Sequence, residues 1–282
     1  MTESRVLKGV EFARPDASRA LRLDLYLPDT GSQPGAAEPL RPAIVHFHGG
    51  GWRVGARSSL GPLADGFGLT PFDVLAEAGF VVASADYRLS AEAHFPAQLH
   101  DAQAAVRWLR EHAADYGVDP DRIYAWGDSA GGHLASLVGL VGGESRVAAV
   151  AAWYPPTDLN RMGEQALPNA VARASDPASR EEQLIGAVVA QEPQKAAAAS
   201  PISYVRPGAP PFLLLHGTAD RFVPAAQSES LAAKLEHAGT DVELRLIAGA
   251  DHMWSLPDGT SAAAEKAMAA TVSFFRRQSG IP

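Results

Sequence analysis

A serine hydroxyl is a poor nucleophile at neutral pH. It becomes one when a histidine takes its proton and a carboxylate holds that histidine's tautomer. The chain carries a serine placed for such chemistry in Gly127-Asp128-Ser129-Ala130-Gly131, which has the form G-x-S-x-G. The residues before it, Ile123 to Trp126, have strand character, and Ala130 to Leu140 have helix character. Strand, sharp turn and helix form the context in which this pentapeptide exposes a nucleophile. Glycines two before and two after the serine relieve crowding at the turn, and the new helix points its positive end at the same spot. The pentapeptide also arises by chance in a chain with 26 glycines, so reading Ser129 as a nucleophile depends on what else the chain holds.

On such a turn the partners follow in chain order, carboxylate and then histidine. Downstream of Ser129 lie His133, His216, His237 and His252. His133 is one helical turn past the serine and reads as a neighbour rather than the base. His216 sits inside an apolar strand end and reads as a buried structural group. His237, in KLEHAG, reads as a surface position on a helix. His252 falls in the loop AGADHMW at 248–254, just after a strand. A loop there can bring an imidazole over Ser129, so His252 is the candidate base. Asp220, in HGTADRFVP at 216–224, directly follows a core strand and is the candidate acid. Asp158 also follows a strand and is the fallback. Asp251 adjoins the base, is expected to point away from it, and reads as a turn or cap residue.

Three consecutive glycines follow the apolar run Ala43 to Phe47, in His48-Gly49-Gly50-Gly51-Trp52. Glycine weakens regular structure, so packing does not account for them. A backbone that must approach a ligand does. The N–H groups of Gly50 and Gly51, with that of Ala130, can form an oxyanion hole; the alternative is a flexible turn. Asp128 flanks the serine and is expected to fix the turn. Trp52, Trp153, Tyr154 and Trp254 sit beside motif ends and are expected to wall an acyl or alcohol pocket, with core packing as the alternative for each. His46-x-His48 could be a metal pair on one strand face, yet no carboxylate or cysteine pattern completes a site. No phosphate loop and no dinucleotide fingerprint is present. The expectation is therefore no metal and no cofactor.

These groups need a scaffold. Leu21 to Leu27 alternates with period two and reads as a half-buried strand near a sheet edge, with Val6 to Phe12 as a weaker partner. Ala43–Phe47, Phe80–Ala85, Ile123–Trp126, Val147–Trp153 and Pro211–Gly217 read as core strands, and Val242–Ile247 as a late alternating one. Helices are expected over Pro71 to Ala78, closed by Gly79; over Phe95 to Tyr116, with Leu99, Ala102, Val106 and Leu109 at helical spacing; and from Ser261 to Arg277, with Ser261 as a cap. Asp86-Tyr87-Arg88 is expected to pin a loop near the site through a charged pair. The weakly patterned stretch 158–200 reads as an insertion of irregular helices, a small lid over the strand ends. Strands alternating with helices, without a repeat, imply a mostly parallel eight-stranded α/β sheet with helices on both faces.

At 282 residues and 46% apolar content the chain fits one large domain, 1–282. A net charge of −8 without a basic tract argues against nucleic acid. With no cysteine there are no disulfides or thiolate metal sites. MTESRVLKGV has no apolar signal core, and no run approaches the roughly 18 apolar residues of a membrane span. The expectation is a cytoplasmic protein, monomer or homodimer, without a membrane partner; export of a longer precursor stays open.

HGGGW at 48–52, GDSAGGH at 127–133, HGTADRFVP at 216–224 and GADH at 249–252 together resemble α/β-hydrolases of the carboxylesterase type. YRLS at 87–90, VDPDRI at 118–123 and ASPISYV at 199–205 add to the likeness. HGGG and GDSAGG are similar to the hormone-sensitive-lipase-like esterases. HGTAD with its following VP departs from their usual D-P-L-x-D motif and is more similar to the bifunctional acetylxylan/feruloyl esterases, as are HGGGW and ASPISYV. The resemblance implies an α/β-hydrolase fold and acyl transfer to water on short-chain or carbohydrate-linked esters. Kynurenine formamidase-like enzymes share HGGGW, so cleavage of a small amide is the alternative. A non-catalytic binding protein on this fold would be expected to lack a triad member, and here every member has a candidate.

Overall fold

The computed structural model describes residues 5–15, 18–29, 39–58, 60, 70–171, 176 and 178–281. Eight strands run in chain order: β1 (Arg5–Ala13), β2 (Leu21–Leu27), β3 (Arg41–Phe47), β4 (Val81–Ala85), β5 (Val118–Asp128), β6 (Val150–Trp153), β7 (Phe212–Gly217) and β8 (Val242–Ile247). They form one sheet in the order β1-β2-β4-β3-β5-β6-β7-β8. β1, β2 and β4 pair antiparallel; every pairing from β4 through β3 to β8 is parallel. Parallel strands need covered faces, and neighbouring residues divide accordingly. Ile44, Val82 and Trp126 enter a core with helices α1 (Pro71–Glu77) and α8 (Ala262–Ser279). Val45, Ala83 and Ala125 enter the opposite core with α2 (Ala97–Glu111), α3 (Ala130–Val141) and α7 (Ala226–His237).

Local chemistry sets the helix limits. α1 starts at a capping box, with the Thr70 hydroxyl accepting from the Asp73 N–H and the Asp73 carboxylate accepting from the Thr70 N–H. α2 is shorter than its apolar spacing suggests. It stops at Glu111, and residues 113–116 tighten into a 3₁₀ turn that Gly117 ends with φ 64°. Ser261 precedes α8 but does not cap its backbone; its hydroxyl donates to Glu265 instead.

β2 departs from the half-buried expectation. Asp24 and Tyr26, on its presumed wet face, are buried. The Asp24 carboxylate accepts from the Gly9 N–H at 2.7 Å and the Arg57 Nε at 2.8 Å, so the charge is enclosed with partners. Among the described residues of the stretch 158–200 lie three short helices: α4 (Met162–Gln165), α5 (Arg180–Ile185) and α6 (Pro193–Ala198). No helix among the described residues is long and apolar enough to cross a membrane.

Candidate active site

Ser129 stands between β5 and α3 with φ 52° and ψ −117°, a conformation that L-residues avoid unless the surroundings enforce it. The flanking glycines explain how the turn closes. A Cβ on Gly127 would lie 2.3 Å from the Gly131 carbonyl carbon, and one on Gly131 would lie 1.8 Å from the Phe47 oxygen. The Ser129 N–H donates to the Trp153 carbonyl at 2.8 Å, anchoring the turn to β6.

His252 follows β8 in a loop that places its Nε2 3.1 Å from Ser129 Oγ. Its Nδ1 lies 2.7 Å from Asp220 Oδ2. Asp220 follows β7 and is buried; its Oδ1 accepts from the N–H groups of Phe222 at 2.9 Å and Val223 at 2.8 Å. Burial alone would raise this carboxyl's pKa, but bonding to the neighbouring imidazoles of His216 and His252 outweighs it and holds the group well below the usual carboxylate range. Of those two, His252 is the stronger contact. His216 Nε2 is 3.5 Å from Asp220 but 2.8 Å from the Val223 carbonyl, and its Nδ1 meets Ser228 Oγ at 2.7 Å. His216 is thus a buried structural group, and His237 is exposed on α7.

Asp251 faces away from the imidazole. Its carboxylate accepts from the His252 N–H at 2.8 Å and the Arg221 N–H at 2.9 Å, tying the base loop to the acid loop. Asp158 stays apart and accepts from the Asn160 N–H. The His252 ring packs between Tyr154, 4.5 Å between centroids, and Phe222, 5.3 Å.

Across from the imidazole lies the glycine loop. Gly50 and Gly51 have φ of 110° and 60°. The N–H groups of Gly50, Gly51 and Ala130 meet no acceptor among the described residues. All three residues line a cavity of about 210 Å³ together with Ser129 and His252. The loop is held by Asp128, which accepts the Gly49 N–H at 3.0 Å, and by Tyr87, whose hydroxyl donates to the His48 carbonyl at 2.9 Å. The expected charged pair is also present: Asp86 accepts from the backbone N–H and the guanidinium of Arg57 further along that loop, while Arg88 pairs with Asp101. His46 and His48 do not form a joint site. His46 Nδ1 meets Ser84 Oγ at 2.9 Å, and His48 Nδ1 donates to its neighbour's carbonyl, Gly49 O, at 2.7 Å.

The aromatic residues separate. Trp52 lines the cavity, with its Nε1 donating to His133 Nδ1 at 3.2 Å. His133 in turn donates from Nε2 to the Ala199 carbonyl at 2.6 Å, so it braces the insertion and does not reach the serine. Trp153, Tyr154 and Trp254 do not wall the cavity. They pack edge-to-face in the core beneath it, with Trp153 against Trp254 at 5.5 Å and Tyr154 against Trp254 at 4.8 Å between centroids. The last residue of β6 faces α8, where the Trp153 Nε1 donates to Thr271 Oγ1 at 2.9 Å.

The walls that the sequence reading does not identify include Arg53, Arg180, Glu181, Phe222 and Met253. Phe222 lies inside the Asp220 motif and could be found there. Arg180 and Glu181 lie in the patternless stretch and carry no signal. A second cavity of about 210 Å³ adjoins the first across Arg53, Arg180, Glu181 and Phe222 and runs to α4.

A nucleophile, a base and an acid in contact beside free backbone amides can perform acyl transfer. Known proteins are similar to this chain in both fold and sequence. Esterase LipQ of Mycobacterium tuberculosis is 33% identical over 231 residues, covering 76% of this chain and 51% of that protein. Carboxylesterase NlhH of the same species is 37% identical over 140 residues, 48% of this chain and 40% of that protein. The chain thus spans about half the length of the curated relatives it matches. A truncated carbohydrate esterase from gut microbiota superimposes with a TM-score of 0.82 at 29% identity, covering 99% of this chain and 98% of that one. Est2, an esterase of Thermogutta terrifontis, superimposes with a TM-score of 0.74 at 29% identity, covering 97% and 92%. The BD-FAE family model matches residues 23–235, most of the chain and all of the sheet except β1, the start of β2 and β8, and the protein belongs to that family of α/β-hydrolase fold.

Proposed function

We propose that the protein is a serine carboxylic ester hydrolase that works through an acyl-enzyme, with Ser129, His252 and Asp220 as its triad. The observation that carries this reading is the single imidazole lying 3.1 Å from the serine oxygen on one side and 2.7 Å from a buried carboxylate on the other. Asp220 accepts a hydrogen bond from the Nδ1–H, which leaves the Nε2 lone pair facing Oγ. When Oγ attacks the ester carbonyl carbon, its proton passes to Nε2. The carbonyl oxygen becomes an oxyanion that accepts from the N–H groups of Gly50, Gly51 and Ala130. Collapse breaks the bond to the alcohol oxygen, which takes the proton from Nε2 and leaves. Water then attacks the acyl-enzyme by the same route, giving the acid and restoring the serine.

The cavity of about 210 Å³ at the serine lies below the usual range for larger ligands and suits a short acyl chain. The adjoining cavity, walled by Arg53, Glu181 and other polar groups, suits a hydrophilic alcohol part such as a sugar. The carbohydrate esterase similar in fold supports the same substrate class. A fluorophosphonate should label the wild-type protein once and leave Ser129→Ala unlabelled. Rates on acetyl to decanoyl p-nitrophenyl esters should fall with acyl length, and acetylated xylan should release acetate. Far faster turnover of N-formylkynurenine than of any ester would replace the ester reading with a small-amide one.

A further inference from the structure

Several half-buried arginines of this chain have charged or carbonyl partners. Arg57 pairs with Asp24 and Asp86, Arg88 with Asp101 and Arg122 with Asp119. The Arg110 guanidinium donates to the carbonyls of Pro120, Glu144 and Arg146. Arg180, like Arg41 and Arg107, has no such partner among the described residues, and of these three only Arg180 lines the cavity that holds Ser129. Among the described residues no carboxylate lies within 4.0 Å of its guanidinium, although the side chain is half-buried in the wall of the cavity that holds Ser129. Taking a guanidinium out of bulk water without an anionic partner is costly, so its surroundings need an account.

Two contacts hold Arg180 in place. Its guanidinium lies over the Phe222 ring, 5.2 Å from the centroid. Its stem lies on Gly51, close enough that a Cβ there would meet Arg180 Cδ at 2.4 Å. The cation is therefore aimed along the cavity wall beside the glycine loop, stacked rather than paired. Arg53, exposed on the same wall, also has no ion pair among the described residues. Glu181 is the carboxyl nearest in sequence; it is buried, burial pushes its pKa up, and the Arg180 charge acts in the opposite direction. No ion pair within 4.0 Å joins it to Arg180 or Arg53 among the described residues. Two arginines outside any ion pair among the described residues thus stand on the wall of the nucleophile's cavity, which Asp128 and Glu181 also line, in a chain of net charge −8.

We propose that Arg180, assisted by Arg53, binds a carboxylate on the substrate, so that the preferred esters carry a negative charge on the acyl or the alcohol part. This rests on the esterase reading and adds a specificity that the reading does not contain. A planar guanidinium held on an aromatic ring presents its N–H fork to a carboxylate with little freedom left to lose. Salt should weaken the preference, because one of the two arginines is exposed.

The test compares matched pairs. p-Nitrophenyl hydrogen succinate against its methyl ester places the charge on the acyl part; 4-acetoxybenzoate against its methyl ester places it on the alcohol part. In the wild type at least one anionic ester should have the higher kcat/KM. In Arg180→Gln that anionic-to-neutral ratio should fall about 10- to 100-fold, and Arg180→Lys should retain part of it. A ratio of one or less for both pairs in the wild type, or a ratio unmoved by Arg180→Gln, overturns the proposal. Calorimetric titration of succinate into Ser129→Ala separates this from the chemistry. Binding there that is lost on adding Arg180→Gln supports the carboxylate site even if no ester is turned over, whereas brisk hydrolysis of neutral esters with no succinate binding sinks the site and leaves the esterase standing.

Discussion

The Asp128 carboxylate accepts the Gly49 N–H at 3.0 Å, so the residue in front of the serine holds the first glycine of the facing loop. The contact is tight: a Cβ on Gly49 would lie 2.2 Å from Asp128 Oδ2. Loop and turn are thereby set to one another before substrate arrives, which is what oxyanion donors require. Asp128→Ala removes a charge-assisted bond and frees the loop. Steady-state kinetics on p-nitrophenyl acetate should show kcat lowered about 10- to 100-fold with a smaller change in KM, because the donors act mainly in the transition state. An unchanged kcat would show that the loop stands without its carboxylate anchor.

Asp220 makes a second prediction, in acid. Its native pKa is depressed, so the group is ionised and bonded in the fold while an unfolded aspartate protonates near pH ~3.9. A depressed acid contributes stability that is fully present above that unfolded value and is lost as pH falls toward the native one. Urea unfolding of the wild type should therefore weaken steeply below about pH 4. Asp220→Asn, which cannot titrate, should give a flatter profile there. The same variant should lose about 10⁴-fold in kcat, since an amide NH₂ facing Nδ1 favours the wrong tautomer. Equal acid slopes would assign the acid sensitivity to other carboxylates.

The convergence of Ser129, Asp220 and His252 was legible because each sits just past the end of a parallel strand, and strand ends on one edge of such a sheet meet in space. The eight strands were legible for a related reason: runs such as Ala43–Phe47, apolar but for His46, have only a doubly covered position to go to. What failed depends on facts that periodicity does not carry. Leu21 to Leu27 alternates as a half-wet strand does, but Arg57 comes from a distant loop to cover Asp24. Trp153 and Trp254 flank motifs, yet which face a side chain takes at a strand end depends on register and on the neighbouring helix, here α8. Arg180 sits on a helix of only six residues, too short for a period and held by contacts with Phe222 and Gly51.

The position of Trp153 separates stability from specificity. Its ring is buried between Trp126, 5.1 Å between centroids, and Trp254, and its N–H is bound to Thr271 on α8. Trp153→Phe keeps an aromatic ring but leaves a gap and an unpaired Thr271 hydroxyl. Stability should drop by about 1–3 kcal/mol, read from urea unfolding, while the order of acyl-chain preference stays as in the wild type. A changed chain-length profile at unchanged stability would return Trp153 to the pocket wall. Trp52, which does line the cavity, is the contrast: Trp52→Leu should alter the chain-length profile.

His133 gives the last prediction, at mildly acid pH. It is fully buried, donates from Nε2 to the Ala199 carbonyl and accepts at Nδ1 from the Trp52 N–H. That arrangement needs the neutral ring, because a second ring proton would face another donor. Burial accordingly lowers its pKa to about 4, against an unfolded value near ~6.5. Between those values the unfolded chain binds a proton that the native one refuses, so stability rises with pH. The contribution is complete above about pH 6.5 and is lost as pH falls toward 4. His48, likewise buried with a pKa lowered to about 4, adds to the same window. Wild-type unfolding free energy should thus decline from pH 6.5 to 4. In His133→Gln, whose amide can donate to Ala199 without titrating, the slope over that window should be reduced by the share of one proton. A slope identical to the wild type would show that the buried ring takes up its second proton without opening the bridge between Trp52 and Ala199.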